Sequence, residues 1–385
     1  MAVLCSGCSG KLIFNPASQM LECVVCGNRY SPEDVEDKSA KLNSKYYSTR
    51  VYTCDHCGAE VITSDTEAST FCVYCGNPAI AFSRISEEYR PDGLIPFKIT
   101  KEEAIKCINM RFLKNPFVPK EVKDMLTPDN IRGIYIPYWI VNANYTEADI
   151  LSGEVKRGKM SVKLWYSRAG NVELNNLPID GSRILNDTVS SKLEPFYLDE
   201  AKEFDEDYLN GFYSNTSDLT YIDLKNSAAQ RCHKLFEEDV LKTIKARKVK
   251  IEDSIRWIDI MDDPLYMMLP VWFFTFRYEG KPYTIMVTGQ SGKVVGTFPW
   301  NIKKITWVGI VLSVLFMALT AYFFIGMYNG SLGALTPVST YITGILMVIG
   351  ISGLISGWAG LNKIRVNLKL TQEEGMFKFV KRRQA

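Results

Sequence analysis

Two short runs of similar sequence stand in the middle of the chain, Ile134-Tyr-Ile-Pro137-Tyr-Trp139-Ile-Val141 and Met267-Met-Leu-Pro270-Val-Trp272-Phe-Phe274. Each places a proline two residues before a tryptophan in an apolar, strand-like run. Because proline has no N–H to donate to a ladder, each run is expected to be an edge strand or to carry a bulge at Pro137 or Pro270. An ordinary core strand is favoured over an aromatic cofactor site, and the pair predicts two related halves.

The residues around these runs have the spacing of a packed α+β domain. Thr100 followed by Glu103 is typical of a capping box, and apolar residues recur behind it at helical spacing. A second helix is predicted to begin at Pro119, because proline is favoured in a first turn, and to end before Pro128. The stretch Ser217–Lys245 is predicted to form a long amphipathic helix.

Eight of the ten cysteines fall into four Cys-x-x-Cys pairs, and the second two pairs repeat the first two at a constant offset of 49 residues. Four thiolates supplied by two tight turns are the ligand set of a structural zinc site. Gly27 and Gly76 follow the second pair of each set, where glycine lets the backbone curl so that its amides reach the sulfurs. The sequence therefore predicts two structural zinc ions, one held by Cys5, Cys8, Cys23 and Cys26, the other by Cys54, Cys57, Cys72 and Cys75.

The predicted metal sites are closed. Four sulfurs fill a tetrahedral shell, so a catalytic metal is not expected, and His56 is interpreted as a surface residue although it lies between Cys54 and Cys57. Tetrathiolate iron is the alternative metal. No apolar run opens the chain, so no signal peptide is expected, and disulfides are disfavoured in the reducing cytosol.

The N-terminal charge argues against nucleic acid. Residues 1–90 contain eight Lys or Arg against eleven Asp or Glu, and each four-thiolate zinc centre adds negative charge. Duplex binding depends on neutralising phosphates with Lys and Arg, so nucleic-acid binding is not expected. The two units are interpreted as small protein-interaction modules that metal holds together, because neither is large enough for its own core.

Two uncharged apolar runs follow near the C-terminus, Ile305–Tyr328 and Tyr341–Leu361. Each is long enough to cross a ~30 Å hydrocarbon core as a helix. Lys303 and Lys304 precede the first run, and further basic residues follow the second, so the positive-inside rule places both outer ends in the cytosol. The basic tail at 363–385 is interpreted either as a lipid-binding segment or as a topology signal.

Catalytic chemistry has little to work with in this chain. It contains only two histidines, His56 and His233. Cys232 precedes His233, but neighbours on a helix point about 100° apart and make a poor dyad. No constellation supports an enzyme, and the chain is expected not to be one.

Taken together, the parts resemble the bacterial YdjG-like, TFIIB-type zinc-ribbon membrane proteins. The likeness rests on the two four-cysteine units, on Leu94-Ile-Pro-Phe97, on the two Pro-x-Trp strands and on Tyr283–Pro299 before the apolar pair. The resemblance implies an adaptor that works with phage-shock-like envelope-stress proteins and a flotillin-like partner.

The expected architecture is multidomain, with tandem four-cysteine zinc ribbons, an α+β cytosolic domain and a C-terminal two-helix transmembrane hairpin. The expected function is a non-enzymatic integral membrane adaptor, multi-pass in the cell membrane with both termini cytoplasmic, and the alternative is a membrane-tethered nucleic-acid-binding or regulatory protein. Expected partners are cytosolic or membrane-associated proteins and membrane lipid, and self-association is left open. The predicted segments are zinc ribbon 1 at 1–32, a spacer at 33–50, zinc ribbon 2 at 51–82, a linker at 83–93, the α+β domain at 94–300, the hairpin at 301–362 and the basic tail at 363–385.

Overall fold

The structure is a computed structural model, and β-strands dominate it. It describes residues 4–33, 45–54, 60–63, 80–112, 115–158, 160–182, 187–296, 298–328 and 345. The α-helices are α1 (Lys101–Phe112), α2 (Lys120–Asp124), α3 (Asp187–Leu193), α4 (Tyr221–Thr243) and α5 (Ile302–Tyr328). The strands are β1 (Leu12–Asn15), β2 (Met20–Cys23), β3 (Arg29–Tyr30), β4 (Tyr46–Cys54), β5 (Glu60–Thr63), β6 (Ile80–Tyr89), β7 (Gly93–Leu94), β8 (Ile131–Arg157), β9 (Met160–Asp180), β10 (Lys202–Glu203), β11 (Tyr213–Ser214), β12 (Arg247–Ile260), β13 (Leu265–Tyr278), β14 (Lys281–Thr288) and β15 (Val294–Val295).

The expected fold class is wrong in its balance of helix and strand. The predicted helices do form, and α1 and α4 begin at the threonine capping boxes of Thr100 and Thr220. The strands between them are far longer than anticipated, with 27 residues in β8 and 21 in β9. Helical periodicity is easy to detect, whereas a long strand with one face against a helix alternates too simply to reveal its length.

The strands form two sheets. The strands β1, β2 and β3 make a small antiparallel sheet at the N-terminus, and the other twelve strands make one large sheet. At the centre of the large sheet, β8 pairs antiparallel with β9, β12 and β13 and parallel with β11. The predicted linker at 83–93 is instead largely strand, because β6 pairs antiparallel with β4.

The two Pro-x-Trp runs pair with each other in the middle of the large sheet, where Ile136 lies opposite Leu269. The prediction of an edge strand or a bulge is therefore wrong, since the β8–β13 pairing is continuous and both strands have further neighbours. Each proline is tolerated because it lies at the position where one neighbouring strand ends and another begins along the same edge of its strand. Pro137 lies between the residues that pair with β11 and those that pair with β9, and Pro270 lies between the partners of β7 and β14.

The hydrogen bonds around the two runs repeat. The amide of Gly181 donates to the carbonyl of Pro137, and that of Gly289 donates to the carbonyl of Pro270, each at 2.8 Å. The short strands β11 and β7 run parallel to β8 and β13 at equivalent positions, and each leads into a capped helix. The protein thus contains two related halves, β7–α1–β8–β9 and β11–α4–β13–β14, as the repeated sequence predicts. The short strand of each half pairs with the long strand of the other.

Each of the two long capped helices packs on one part of the large sheet and so makes a layer. In the long layer, α4 covers one face of β9, β8 and β12, and β8 buries every second side chain from Ala143 to Leu151 against it. In the short layer, α1 packs against β8, β14 and β15, and its buried residues share a core cluster with those of β13.

The predicted C-terminal hairpin requires a correction. The first predicted span, 305–328, lies in α5, and the second, 341–361, lies outside the described residues except for Ile345. Across the described part of the chain, no helix combines the length and the apolar character that crossing a membrane requires. The predicted transmembrane hairpin and the multi-pass membrane location are therefore wrong. The helical conformation of 305–328 is as predicted, and the correction concerns the crossing of a membrane.

Candidate metal centre

The first four-cysteine set comes together at one end of the small N-terminal sheet. Cys5, Cys8, Cys23 and Cys26 place their sulfurs within 4.8 Å of one another. The Sγ atoms of Cys5 and Cys26 are 3.6 Å apart, and those of Cys8 and Cys23 are 3.5 Å apart. Four sulfurs at ~2.3 Å from a tetrahedral zinc ion lie ~3.8 Å from each other, so the group fits one such ion.

The two Cys-x-x-Cys turns are built alike. Ser9 and Gly27 each follow the second cysteine of their turn with a positive φ, at 54° and 73°. The amides of Ser9 and Gly27 donate to the carbonyls of Cys5 and Cys23, which closes each turn. Glycine suits this left-handed conformation, whereas Ser9 adopts it without that freedom.

Hydrogen bonds prepare two of the four thiols for metal. The Tyr30 hydroxyl lies 3.1 Å from the Cys5 sulfur and is the main cause that lowers the pKa of this thiol to about 6. The backbone amide of Cys26 is the main cause that lowers the pKa of Cys23. The Gly10 amide lowers the pKa of Cys8, but neighbouring sulfurs raise it more, to about 12. A cation that removes this repulsion would let all four sulfurs ionise together.

Sequence spacing identified the cysteines but missed the residues that shape the pocket around them. Tyr30 closes β3 and reaches back to Cys5, a contact that no local motif announces. Gly10 is the second such residue, because a Cβ at that position would lie 2.8 Å from the Cys23 sulfur. An aromatic residue four positions after the last cysteine was the available signal for Tyr30.

The four-cysteine unit packs against the rest of the protein. The ring of Phe14 in β1 packs at a tilt against that of Tyr208, with centroids 4.9 Å apart, and the Phe14 amide donates to the carbonyl of Asn210. The Gln19 side chain donates to the carbonyl of Phe97 at 2.7 Å. The apolar residues of β1 and β2 belong to the same core cluster as the short layer. The shared core therefore contributes to holding this unit in place.

The second predicted zinc site is described only at its first cysteine. Cys54 ends β4 and is buried. Cys57, Cys72 and Cys75 lie outside the described residues, as does His56.

A second polar cluster lies inside the long layer, at residues that no sequence motif marks. Glu147 on β8 is fully buried and accepts hydrogen bonds from Tyr145 at 2.6 Å, from His233 on α4 at 2.8 Å and from Arg256 on β12 at 3.0 Å. Burial raises the pKa of Glu147, but the bonds from Tyr145 and His233 outweigh it and hold the pKa below its ordinary value. Burial raises the pKa of the neighbouring Asp149, and the charge of Glu147 adds to that rise.

The cluster joins α4 to β8 and β12, and the Ser254 hydroxyl on β12 also donates to Glu147 at 3.3 Å. Cys232 points into the core behind α4, away from His233, as predicted for adjacent helical residues. Burial raises the pKa of the Cys232 thiol to about 11, so it stays protonated at neutral pH.

The fold and the site define a mostly β protein of two related halves, with a closed four-cysteine centre that could hold one metal ion. The chain is 26% identical over 332 residues to a curated protein of Bacillus subtilis (strain 168) named "Uncharacterized protein YdjG". The aligned region covers 82% of this chain and 95% of that protein. No family model matches the chain, and no solved structure matches it. A distant YdjG-like relative over most of the chain is thus confirmed, and its name assigns no function.

Proposed function

We propose that this chain is a non-enzymatic adaptor whose four-cysteine unit holds a structural zinc ion and binds a partner protein. The observation that carries the proposal is an apolar tip beside the metal centre. Val24 and Val25 lie between Cys23 and Cys26 and are 58% and 72% exposed, and Leu4 is 55% exposed. Four sulfurs leave no open position for a substrate, so the centre serves to hold this tip rigid.

A protein partner suits the tip better than nucleic acid does. Residues 4–33 contain two basic and two acidic residues, and Arg29 is paired with Glu22 at 2.6 Å. A surface that binds phosphates needs an excess of Lys and Arg, which this unit lacks. Exposed apolar side chains on a rigid turn are typical of protein-interaction sites.

The finer part of the proposal concerns the class and the biological role. The cysteine spacing and the YdjG-like relative support a zinc ribbon of the TFIIB type. The same resemblance favours phage-shock-like or flotillin-like proteins as the partners, in an envelope-stress response.

Quantitative co-purification from cells under envelope stress tests the proposal. The Val25→Asp variant places a charge in the exposed tip, and Met110→Asp places one on the solvent side of α1, where Met110 is 62% exposed. Partners should be depleted with Val25→Asp and retained with Met110→Asp, at equal metal content in both variants. If the wild type and both variants co-purify with the same proteins in the same amounts, binding through the tip is contradicted.

A further inference from the structure

We infer that the bare face of the long layer is the interface of a two-fold dimer with a second copy of this chain. The outer face, defined as the side of β9, β8 and β12 opposite α4, carries four exposed large apolar residues. Ile255 and Trp257 on β12 are 74% and 67% exposed, and Ile150 and Trp165 are exposed beside them on β8 and β9. Lys225 approaches the ring of Trp257 to 5.8 Å without covering it.

The corresponding face of the short layer is covered. On that side of the sheet, Met267 and Leu269 of β13 are buried in one cluster with Leu193 and the partly buried Phe196. The cover extends to Tyr138 on β8, whose ring centroid is 5.4 Å from that of Phe196. Further along β8, every second residue from Asn144 to Ile150 lies on this face, and each of these residues is exposed. The sheet thus passes from a covered to an uncovered apolar face along a single strand.

Charge favours a second copy as the occupant. At one end of the outer face, Lys163 and Lys250 flank Glu252 at 3.2 and 3.3 Å and leave a net positive charge. At the other end, Glu173 and Asp259 are exposed and acidic. A two-fold axis perpendicular to the strands would place the basic end of each copy on the acidic end of the other, which is the self-complementarity an isologous interface needs.

The centre of the face has the shape for close approach. Ala148 and Ala169 lie opposite each other between the exposed aromatic and branched side chains. Two sheets pack face to face at a spacing of ~10 Å when side chains interdigitate, and these alanines leave room for the partner's Ile255.

The size of the face sets the expected affinity. Three strands and about nine residues span roughly 14 by 30 Å, so each copy would bury less than the ~800 Å² of a standard interface. We therefore expect a dissociation constant in the micromolar range, of order 10 μM, rather than a permanent dimer.

Sedimentation velocity of the full chain over about 1–200 μM tests the inference. The wild type should shift from monomer to dimer over this range. Ile255→Asp should raise the dissociation constant at least ~10-fold, because it buries a charge in the interface. Ile222→Asp on α4 is the matched control, since Ile222 is 70% exposed outside the outer face, and it should associate like the wild type. A wild type that stays monomeric at the highest concentration, or variants that behave alike, would overturn the inference and leave the face to another protein.

A charge reversal tests the arrangement in which the basic end of each copy lies on the acidic end of the other. Asp259→Lys should weaken the dimer several-fold at low salt and less at high salt, since it puts like charges together. Unchanged or stronger association of Asp259→Lys would overturn this arrangement of the two copies.

Discussion

The long layer and the short layer are built from equivalent elements, but they bury their surfaces differently. In the short layer, β13 is buried on both faces from Tyr266 to Phe276, and its core is almost wholly apolar and aromatic. In the long layer, one face of the sheet is bare, and the core under α4 contains the charged Glu147. The comparison teaches that the same arrangement of strands and helix can be buried on both faces of the sheet in one layer and exposed on one face in the other. The four-cysteine unit, residues 4–33, packs against the short layer, which is called the closed side below.

Removal of metal should have the largest effect, and it should be confined to the closed side. Structural zinc in small zinc-finger peptides contributes about 10–16 kcal/mol of apparent binding energy, so its loss should unfold residues 4–33. Hydrogen exchange after chelation should show lost protection in β1 and β2 and retained protection in β8 from Ala143 to Leu151. Equal loss in both regions would break the distinction between the two layers.

Removal of the buried carboxylate should have the next largest effect. Glu147→Ala leaves the groups of His233 and Arg256 without their acceptor, and breaking such a buried pair costs about 3–5 kcal/mol. Urea unfolding should show this loss, whereas Glu154→Ala at an exposed ion pair with Lys248 should cost less than ~1 kcal/mol. Similar costs for the two variants would mean that the cluster does not hold the long layer.

The pH dependence of stability should single out Asp149. Its raised pKa means that the folded chain holds this proton more tightly than the unfolded chain does. The stability it contributes is therefore complete below about pH 4 and is lost as pH rises through the folded pKa. Asp149→Asn has no such loss, so its free energy of unfolding relative to the wild type should increase as pH rises through this window. A difference that stays constant or falls with pH would contradict the raised pKa.

The smallest effect should be the same in both halves. Thr100 caps α1 and Thr220 caps α4 through equivalent capping boxes. Thr100→Ala and Thr220→Ala should each lower the free energy of unfolding by ~1 kcal/mol. One neutral and one costly substitution would show that the two halves use their helix starts differently.

The sequence predicted what depends on local spacing. The cysteine turns and the capping box at Thr100 follow from residues a few positions apart, and the duplication follows from the repeat of the Pro-x-Trp run. These features were accessible because helix and turn geometry repeats over short distances.

The rest depends on pairing between distant residues. Glu147 and His233 are 86 residues apart, and nothing near either residue announces the contact. The prolines suggested edge strands. The places where one neighbouring strand ends and the next begins, which accommodate the prolines, arise only in the assembled sheet. The stretch 305–328 forms the predicted helix, and the membrane crossing inferred from it is the part of the prediction that is wrong.

The metal content of the intact protein tests the central claim most directly. The full chain and its Cys8→Ser/Cys26→Ser variant would be compared by inductively coupled plasma mass spectrometry. If the first four cysteines hold one structural zinc ion, the variant should carry one zinc ion fewer per chain. Equal zinc in the two proteins, or a difference in iron in place of zinc, would contradict the account.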